Sequence, residues 1–354
     1  MTKKSITIRL VDDQESLKWD EFVLSHPASS PYHLIAWKKA IESAYGHKCI
    51  YLMAGSENGI LGVLPIVHLR FPSIVNEMVS LPFCDVGNCI AEDEKVQDSL
   101  IHEAIKIKEQ GKIGTFQIRG NLLPTEIVKT QLDTTQTGKV RMVLDLPNSS
   151  EKLFGSFKSK LRSQVRKAEK NGVRFFWGAE QDIDSAFRVF SRNMLELGSP
   201  VHSKSFLFSV LSNYGTKAKL GITSYQNKII GMGIILLGGK GVSIPWASTL
   251  REYNNLGPNM LLYWNFLKYS ADNGFSYFDF GRSSEGEGTY KFKSQWGAKA
   301  YPLIWYSTNV KNKKRKVELR KENSNRDRMA KIWKKLPIGV ANIVGPCLRK
   351  YISL

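Results

Sequence analysis

The run Asp279-Phe280-Gly281-Arg282-Ser283-Ser284-Glu285-Gly286-Glu287-Gly288-Thr289-Tyr290-Lys291-Phe292-Lys293-Ser294-Gln295-Trp296-Gly297 ends a strand in Asp-Phe-Gly, crosses a Gly/Ser loop and resumes as Tyr-Lys-Phe-Lys. Alternation predicts a second strand there. Tyr290 and Phe292 would share one face, Lys291 and Lys293 the other. Paired lysines beside a glycine loop can hold phosphates or a developing oxyanion. A solvated strand face is the plainer alternative, because no catalytic signature of fixed spacing is matched.

Upstream, Arg251-Glu252-Tyr253-Asn254-Asn255-Leu256-Gly257-Pro258-Asn259-Met260-Leu261-Leu262-Tyr263-Trp264 passes from a strand through a turn into a helix. A helix start offers unpaired N–H groups and the positive end of its dipole, so Asn255, Gly257 and Asn259 are candidate cofactor contacts. A simple strand–helix connection with Pro258 in the first turn fits equally well. Further upstream, Lys158, Arg162, Arg166 and Lys170 recur every four residues in a helix expected near 151–171. Like charges at that spacing repel, which points to an anionic partner for the stripe.

Around these segments the chain reads as mixed α/β. A helix is expected over Leu34–Tyr45, with Gly46 as its stop. Strands are expected at Cys49–Ala54 and Leu61–Val67 around a Ser56–Gly59 turn, then a helix near Asp93–Glu109 and a strand at Thr115–Arg119. Pro147-Asn148-Ser149-Ser150 marks a boundary. Beyond it come helices near 181–197 and 204–214, strands at Ala218–Tyr225, Lys228–Leu237 and Gly241–Ala247, a helix over Pro258–Asn273, and strands at Tyr277–Phe280 and Leu303–Ser307. The similar order in the two halves suggests duplication. The expected units are 1–148, 149–307 and a basic helical extension, 308–354. Its basic cluster begins Lys311-Asn312-Lys313-Lys314-Arg315-Lys316, and an apolar stretch further on, Leu336–Pro346, is expected to clamp onto the protein.

The 354 residues are 42% hydrophobic, enough to bury a core and to exclude wholesale disorder. No apolar run reaches the roughly 18 residues of a membrane span. The first residues alternate like a strand and then meet Asp12-Asp13-Gln14-Glu15, so no signal peptide is expected, and the expected location is the cytoplasm, with peripheral contact at the inner face of an anionic membrane as an accompanying expectation. The cysteines at 49, 84, 89 and 347 and the six histidines show no metal-ligand spacing, and no metal site is expected. Signatures such as GxGxxG, GxxxxGK[ST], HExxH and GxSxG are absent. The net charge of +19 attracts polyanions, an anionic membrane surface included. Asp85, in Leu81-Pro82-Phe83-Cys84-Asp85-Val86-Gly87-Asn88-Cys89, can face a cleft as a base.

Leu161–Val173, Val242–Ser248, Asn259–Trp264, Phe278–Ser283 and Gly288–Ala298 together resemble the FemAB-related proteins, in particular the subgroup found with exosortase and exopolysaccharide systems. The resemblance covers about 30–307. It implies two GNAT-like α/β domains in tandem with a cleft between them. Family members transfer an amino acid from aminoacyl-tRNA to an amino group of a peptidoglycan precursor, and others in the wider group use acyl-CoA. It implies that Lys293, of the Phe-Lys pair, supports the reacting carbonyl, that Arg162 or Arg166 contacts substrate phosphates, and that Asp85 matches the family's aspartate. Trp246, Arg282, Tyr290 and Lys291 lie in the same segments and are expected to contact substrate or its phosphates. Where a standard GNAT pyrophosphate loop reads Q/R-x-x-G-x-G/A, this chain has Asn254-Asn255-Leu256-Gly257-Pro258-Asn259. Only the central Gly survives, and Pro258 has no N–H.

The expected function is N-acyl or aminoacyl transfer to an amine on a cell-envelope or exopolysaccharide precursor. No cofactor would be held permanently, and acyl-CoA or aminoacyl-tRNA would be the co-substrate. The alternative is a non-catalytic protein that binds RNA or an anionic membrane surface. DNA is not an expected partner.

Overall fold

The computed structural model describes residues 6–57, 59–308 and 328–353. The first half runs β1 (Thr7–Leu10), α1 (Ser16–Ser25), α2 (Ile35–Tyr45), β2 (Lys48–Ser56), β3 (Gly59–Phe71), β4 (Val75–Val79), β5 (Ile90–Ala91), α3 (Glu94–Gln110), β6 (Thr115–Arg119), α4 (Glu126–Gln131) and β7 (Leu132–Asp145). Two helices follow, α5 (Ser150–Ser156) and α6 (Ser159–Lys170). The second half is β8 (Arg174–Gly178), α7 (Ile183–Leu197), α8 (Lys204–Tyr214), β9 (Ala218–Tyr225), β10 (Lys228–Leu237), β11 (Gly241–Thr249), α9 (Pro258–Asp272), β12 (Tyr277–Ser283), α10 (Gly288–Ser294) and β13 (Lys299–Thr308). A last helix spans Ile338–Arg349.

Leaving aside the two-residue β5, each half reads strand, two helices, three strands, helix, strand, helix, strand. All the strands share one sheet, ordered β1-β2-β3-β4-β6-β13-β7-β12-β11-β10-β9-β8. Replacing each strand by its counterpart in the other half reverses this order. The sheet therefore has an approximate twofold at the β13–β7 pair, and the halves exchange their last strands. β13 pairs with β6 of the first half, and β7 pairs with β12 of the second. This is the mixed α/β architecture of tandem GNAT-like units that the resemblance implies.

Local sequence explains much of the framework. In α2, Trp37, Ala40 and Ile41 bury one helical face, and Gly46 closes the helix with φ +69° and its N–H on the Glu42 carbonyl. Asp93 caps α3 by accepting the Val96 N–H at 2.9 Å. Gln226 and Asn227 take positive φ to turn β9 into β10. Between the halves, Trp37 is fully buried, stacks on Trp246 at 6.2 Å and meets Phe206 edge-on at 5.6 Å. Truncating such an aromatic typically costs about 3–5 kcal/mol.

Two expectations are corrected. Tyr290–Lys293 is not a strand but part of α10. Four alternating residues fit both periodicities, and here Phe292 packs against Tyr263 and, one turn on, Trp296. Lys291 and Lys293 therefore do not share a face: Lys291 is exposed and Lys293 is buried. The helix expected near 151–171 is two helices. Phe157 is anchored against Trp264 and Trp296, and Lys158 has extended backbone, ψ 145°, so the cationic stripe is confined to α6 and its cap. The basic run Lys311–Lys316 lies outside the described residues. Among the described residues no helix is long and apolar enough to cross a membrane.

Candidate active site

Parallel β11 and β12 pair only from Gly241↔Tyr277 to Ser243↔Asp279. The end of β12 then departs from β11. Parallel β4 and β6 part after Val79↔Gln117 in the same way, and the chain enters the Leu81–Asn88 loop. Crevices at the carboxyl ends of parting strands are where open α/β sheets place ligands. Here the approximate twofold brings the first half's loop onto the end of the second half's β12.

The contact centres on Arg282. Its backbone N–H donates to Asp85 Oδ2 at 3.0 Å, and its Nε lies 3.5 Å from Asp85 Oδ1. Its carbonyl accepts from Lys293 Nζ at 2.7 Å, and Lys293 also donates to the Gly281 carbonyl at 3.2 Å. Asp85 and Lys293, which the resemblance pairs, thus grip opposite sides of one residue. Lys293 is 8% exposed, and burial lowers its ammonium to about 8. Gly281 has φ +71°, and a Cβ there would sit 3.4 Å from Asp85 Oδ2. Below it, buried Asp279 accepts the Gly281 N–H at 2.8 Å and Arg141 Nε at 2.7 Å.

The Asp85 loop is held under tension. Leu81 and Phe83, neither of them glycine, adopt φ of +53° and +68°, a conformation that persists only where the surroundings enforce it. Gly87 is required, since a Cβ would lie 2.6 Å from the Ser80 carbonyl. His33 holds the far end: its Nε2–H donates to the Asn88 carbonyl at 3.0 Å, and burial depresses its pKa to about 4, so the ring is neutral. Arg119 is fully buried over the Trp305 ring and donates to the Cys84 carbonyl at 3.1 Å. Burial lowers it only to about 10, so it stays charged at neutral pH. The same guanidinium donates to Ser353 O and Oγ, and the Phe83 N–H donates to Ser353 O. The C-terminal segment is thereby tied to the loop that carries Asp85.

The other expected site residues are more dispersed. Arg162 is half-buried and Arg166 exposed on α6, whose Leu161, Val165 and Ala168 face the protein; Arg166 lies over the Phe154 ring at 5.4 Å. Asn255 is exposed, and Gly257 and Asn259 are half-buried at the start of α9. That turn packs on α6, where a Cβ on Gly257 would meet Ala168 at 3.2 Å. Its donors are few: Gly257 N–H is spent on Asn254 O, Met260 N–H on Gly257 O, and Pro258 has none. Tyr290 is half-buried on α10. Trp246 is 7% exposed within the aromatic core between the halves, away from solvent. Arg141, which anchors Asp279, escaped sequence reading. Its signal is a lone arginine among Val140, Met142, Val143 and Leu144.

Replacing both Arg162 and Arg166 by Glu is expected to weaken binding of an anionic donor or acceptor at low salt about tenfold or more, with the melting temperature nearly unchanged. Unaltered binding in a low-salt titration would remove these residues from the site.

Residues 155–294 match the family model described as an acetyltransferase (GNAT) domain. The chain therefore carries an acyltransferase domain, and it includes α6, the Gly257 turn and Lys293. In architecture the chain is similar to FemX, with a TM-score of 0.69 at 13% identity, covering 85% of this chain and 96% of that one. It is also similar to the C-terminal domain of a putative lysylphosphatidylglycerol synthetase from Agrobacterium fabrum, with a TM-score of 0.59 at 10% identity, covering 84% of this chain and 92% of that one. A tandem GNAT protein from the clavulanic acid biosynthesis pathway matches with a TM-score of 0.51 at 9% identity, covering 86% of this chain and 98% of that one. Among proteins of curated function, none matches the sequence.

Proposed function

We propose that this protein is an N-acyltransferase that moves an acyl or aminoacyl group onto an amino group of a cell-envelope or exopolysaccharide precursor in the cytoplasm. The observation that carries this reading is the grip of Asp85 and Lys293 on Arg282, where the first half's loop meets the end of β12. The GNAT-domain match supports it over the non-catalytic alternative.

In this mechanism the acceptor amine attacks the carbonyl of an activated ester or thioester. A C–N bond forms, the bond to the donor's oxygen or sulfur breaks, and the leaving group takes up a proton. Asp85 takes the proton from the amine. Lys293 uses two of its donors on the Gly281 and Arg282 carbonyls. Its remaining donor and its charge stabilise the developing oxyanion. Arg162 or Arg166, with exposed Lys291, binds substrate phosphates. Neither step needs a covalent nucleophile or a permanently bound cofactor.

Of the two donors, aminoacyl-tRNA fits better than acyl-CoA. The turn at Asn255, Gly257 and Asn259 offers few N–H groups to a pyrophosphate, for the reasons given above. The units of this enzyme would be 1–148, 149–307 and the extension 308–354, each half completed by the other's last strand. The test is to incubate the protein with labelled aminoacyl-tRNA or acyl-CoA and an amine-bearing envelope precursor, and to identify by mass spectrometry any ligand that co-purifies. Label in the acceptor from either donor supports acyl transfer, and the productive donor decides between the two. No transfer from either, together with salt-sensitive binding of RNA, would replace the reading with the non-catalytic one.

A further inference from the structure

The last helix, Ile338–Arg349, is mounted in an unusual way. The residues it buries are small, Ala341 and Gly345. Gly345 packs against Val201, where a Cβ would meet the Val201 backbone nitrogen at 3.2 Å. Just upstream, Ala330 and Lys334 pack on Gly198, at the end of α7. The larger apolar residues point the other way. Val340, Ile343, Val344, Cys347 and Leu348 are exposed, with Ile343 at 74%, and they recur at the spacing of a single helical face. Upstream of that helix, Ile332 and Met329 are also exposed, at 58% and 65%. An amphipathic helix in a soluble domain normally buries such a stripe. A contiguous exposed one marks a surface with a partner.

Charge identifies the partner. Lys331, Lys334 and Lys335 are exposed beside the stripe, and residues 328–353 hold six Lys/Arg and no Asp or Glu. The 46 residues from 309 to 354 carry fourteen Lys/Arg against three Asp/Glu, a net +11 of the chain's +19. A second copy docked on this face would bring like charges together. Residues 309–327 cannot supply a matching apolar strip, since they hold only Val310, Val317 and Leu319. Apolar side chains rimmed by lysines fit a negatively charged lipid surface, where the stripe enters the acyl boundary and the ammonium groups meet the headgroups.

We propose that this C-terminal helix is an interfacial docking element for an anionic membrane leaflet. It goes beyond the acyltransferase reading and does not depend on it. The same segment runs on to Ser353, which sits on Arg119 and the Phe83 N–H, so docking would hold the Asp85 loop close to the lipid surface.

The test is flotation of the full-length protein with vesicles of phosphatidylcholine alone or of an equal mixture of phosphatidylcholine and phosphatidylglycerol. Binding to the mixed vesicles, weakened by salt and nearly absent from the neutral ones, is the expected result. Ile343→Asp together with Leu348→Asp should lower the partition coefficient about tenfold or more. Lys331→Glu with Lys335→Glu should lower it by a similar factor and abolish the preference for anionic lipid. These positions are solvent-facing, so thermal melting should match that of the parent protein. The proposal is overturned by no flotation with anionic vesicles, or by equal binding to both vesicle types. It is also overturned if binding survives the Ile343/Leu348 changes, if those changes instead dissolve a dimer seen by sedimentation, or if RNA is the anion bound.

Discussion

Lys293→Ala lowers turnover by about ten- to a thousandfold, the range seen when a stabiliser of a developing oxyanion is removed. Its side chain is buried and fixed by two carbonyls, so its charge is held in one place and needs little reorganisation during reaction. Asp85→Asn, on the other side of Arg282, keeps an acceptor for the Arg282 N–H but cannot take a proton, and should lose about a hundredfold or more. By contrast Lys291→Ala, on the exposed side of α10, should mainly raise KM. Burial puts the Lys293 ammonium at about 8, so turnover should fall as pH rises through that value and the charge is lost. Stability moves the other way. The folded pKa is below the unfolded one, the unfolded chain binds more protons between about 8 and 10.4, and this group's contribution to stability rises with pH across that window. Full turnover in Lys293→Ala, with normal melting, would remove Lys293 from the chemistry.

Asp279→Ala should destabilise the protein by about 3–5 kcal/mol, because Arg141 is left as an uncompensated charge in a largely buried position. Urea denaturation of both proteins measures this directly. The partner change adds a discriminating control: Asp279→Leu combined with Arg141→Met should recover much of the loss, since a packed apolar pair replaces a buried ion pair at little net cost. The recovered protein should still be catalytically impaired, because the Asp279 carboxylate also holds the Gly281 N–H and hence the turn between Asp85 and Lys293. A loss below about 1 kcal/mol in Asp279→Ala would place the pair among weak surface bridges.

The elements that could be read from the chain are those whose signals are local. Leu34–Gly46 has a helical stripe and a glycine stop; Ala218–Leu237 has two apolar runs around a turn that tolerates positive φ; Lys204–Tyr214 begins after a Ser cap. Tyr290–Lys293 misleads because alternation over four residues cannot outweigh aromatics spaced one helical turn apart, Phe292 and Trp296, which become informative only with a longer window. β7 went unread because its partners, β12 and β13, lie far along the chain and no local pattern encodes them. The site divides in the same way. Lys293 stands out within a segment that carries the resemblance and Asp85 within the Leu81–Cys89 run, whereas Arg141, Arg119 and His33 act through contacts across the fold. Trp246 shows the limit of motif reading, for a tryptophan in a resembling segment serves here as packing between the halves.

The exchanged last strands have a consequence for how the chain comes off the ribosome. When the first half has been synthesised, β6 still lacks its neighbour β13, the last strand of the sheet to be made. β7 is meanwhile waiting for both of its neighbours, β12 and β13. At about 5–20 residues per second the gap lasts on the order of ten seconds. One side of β6 and both sides of β7 stand unpaired for that time, each a template for a wrong strand. The nascent first half should therefore be a client of holding chaperones, and a chain stopped before residue 299 should fail to fold rather than yield a working half. A permutation that moves β13 ahead of the first half would close the β6 edge early and leave only the β12 side of β7 waiting.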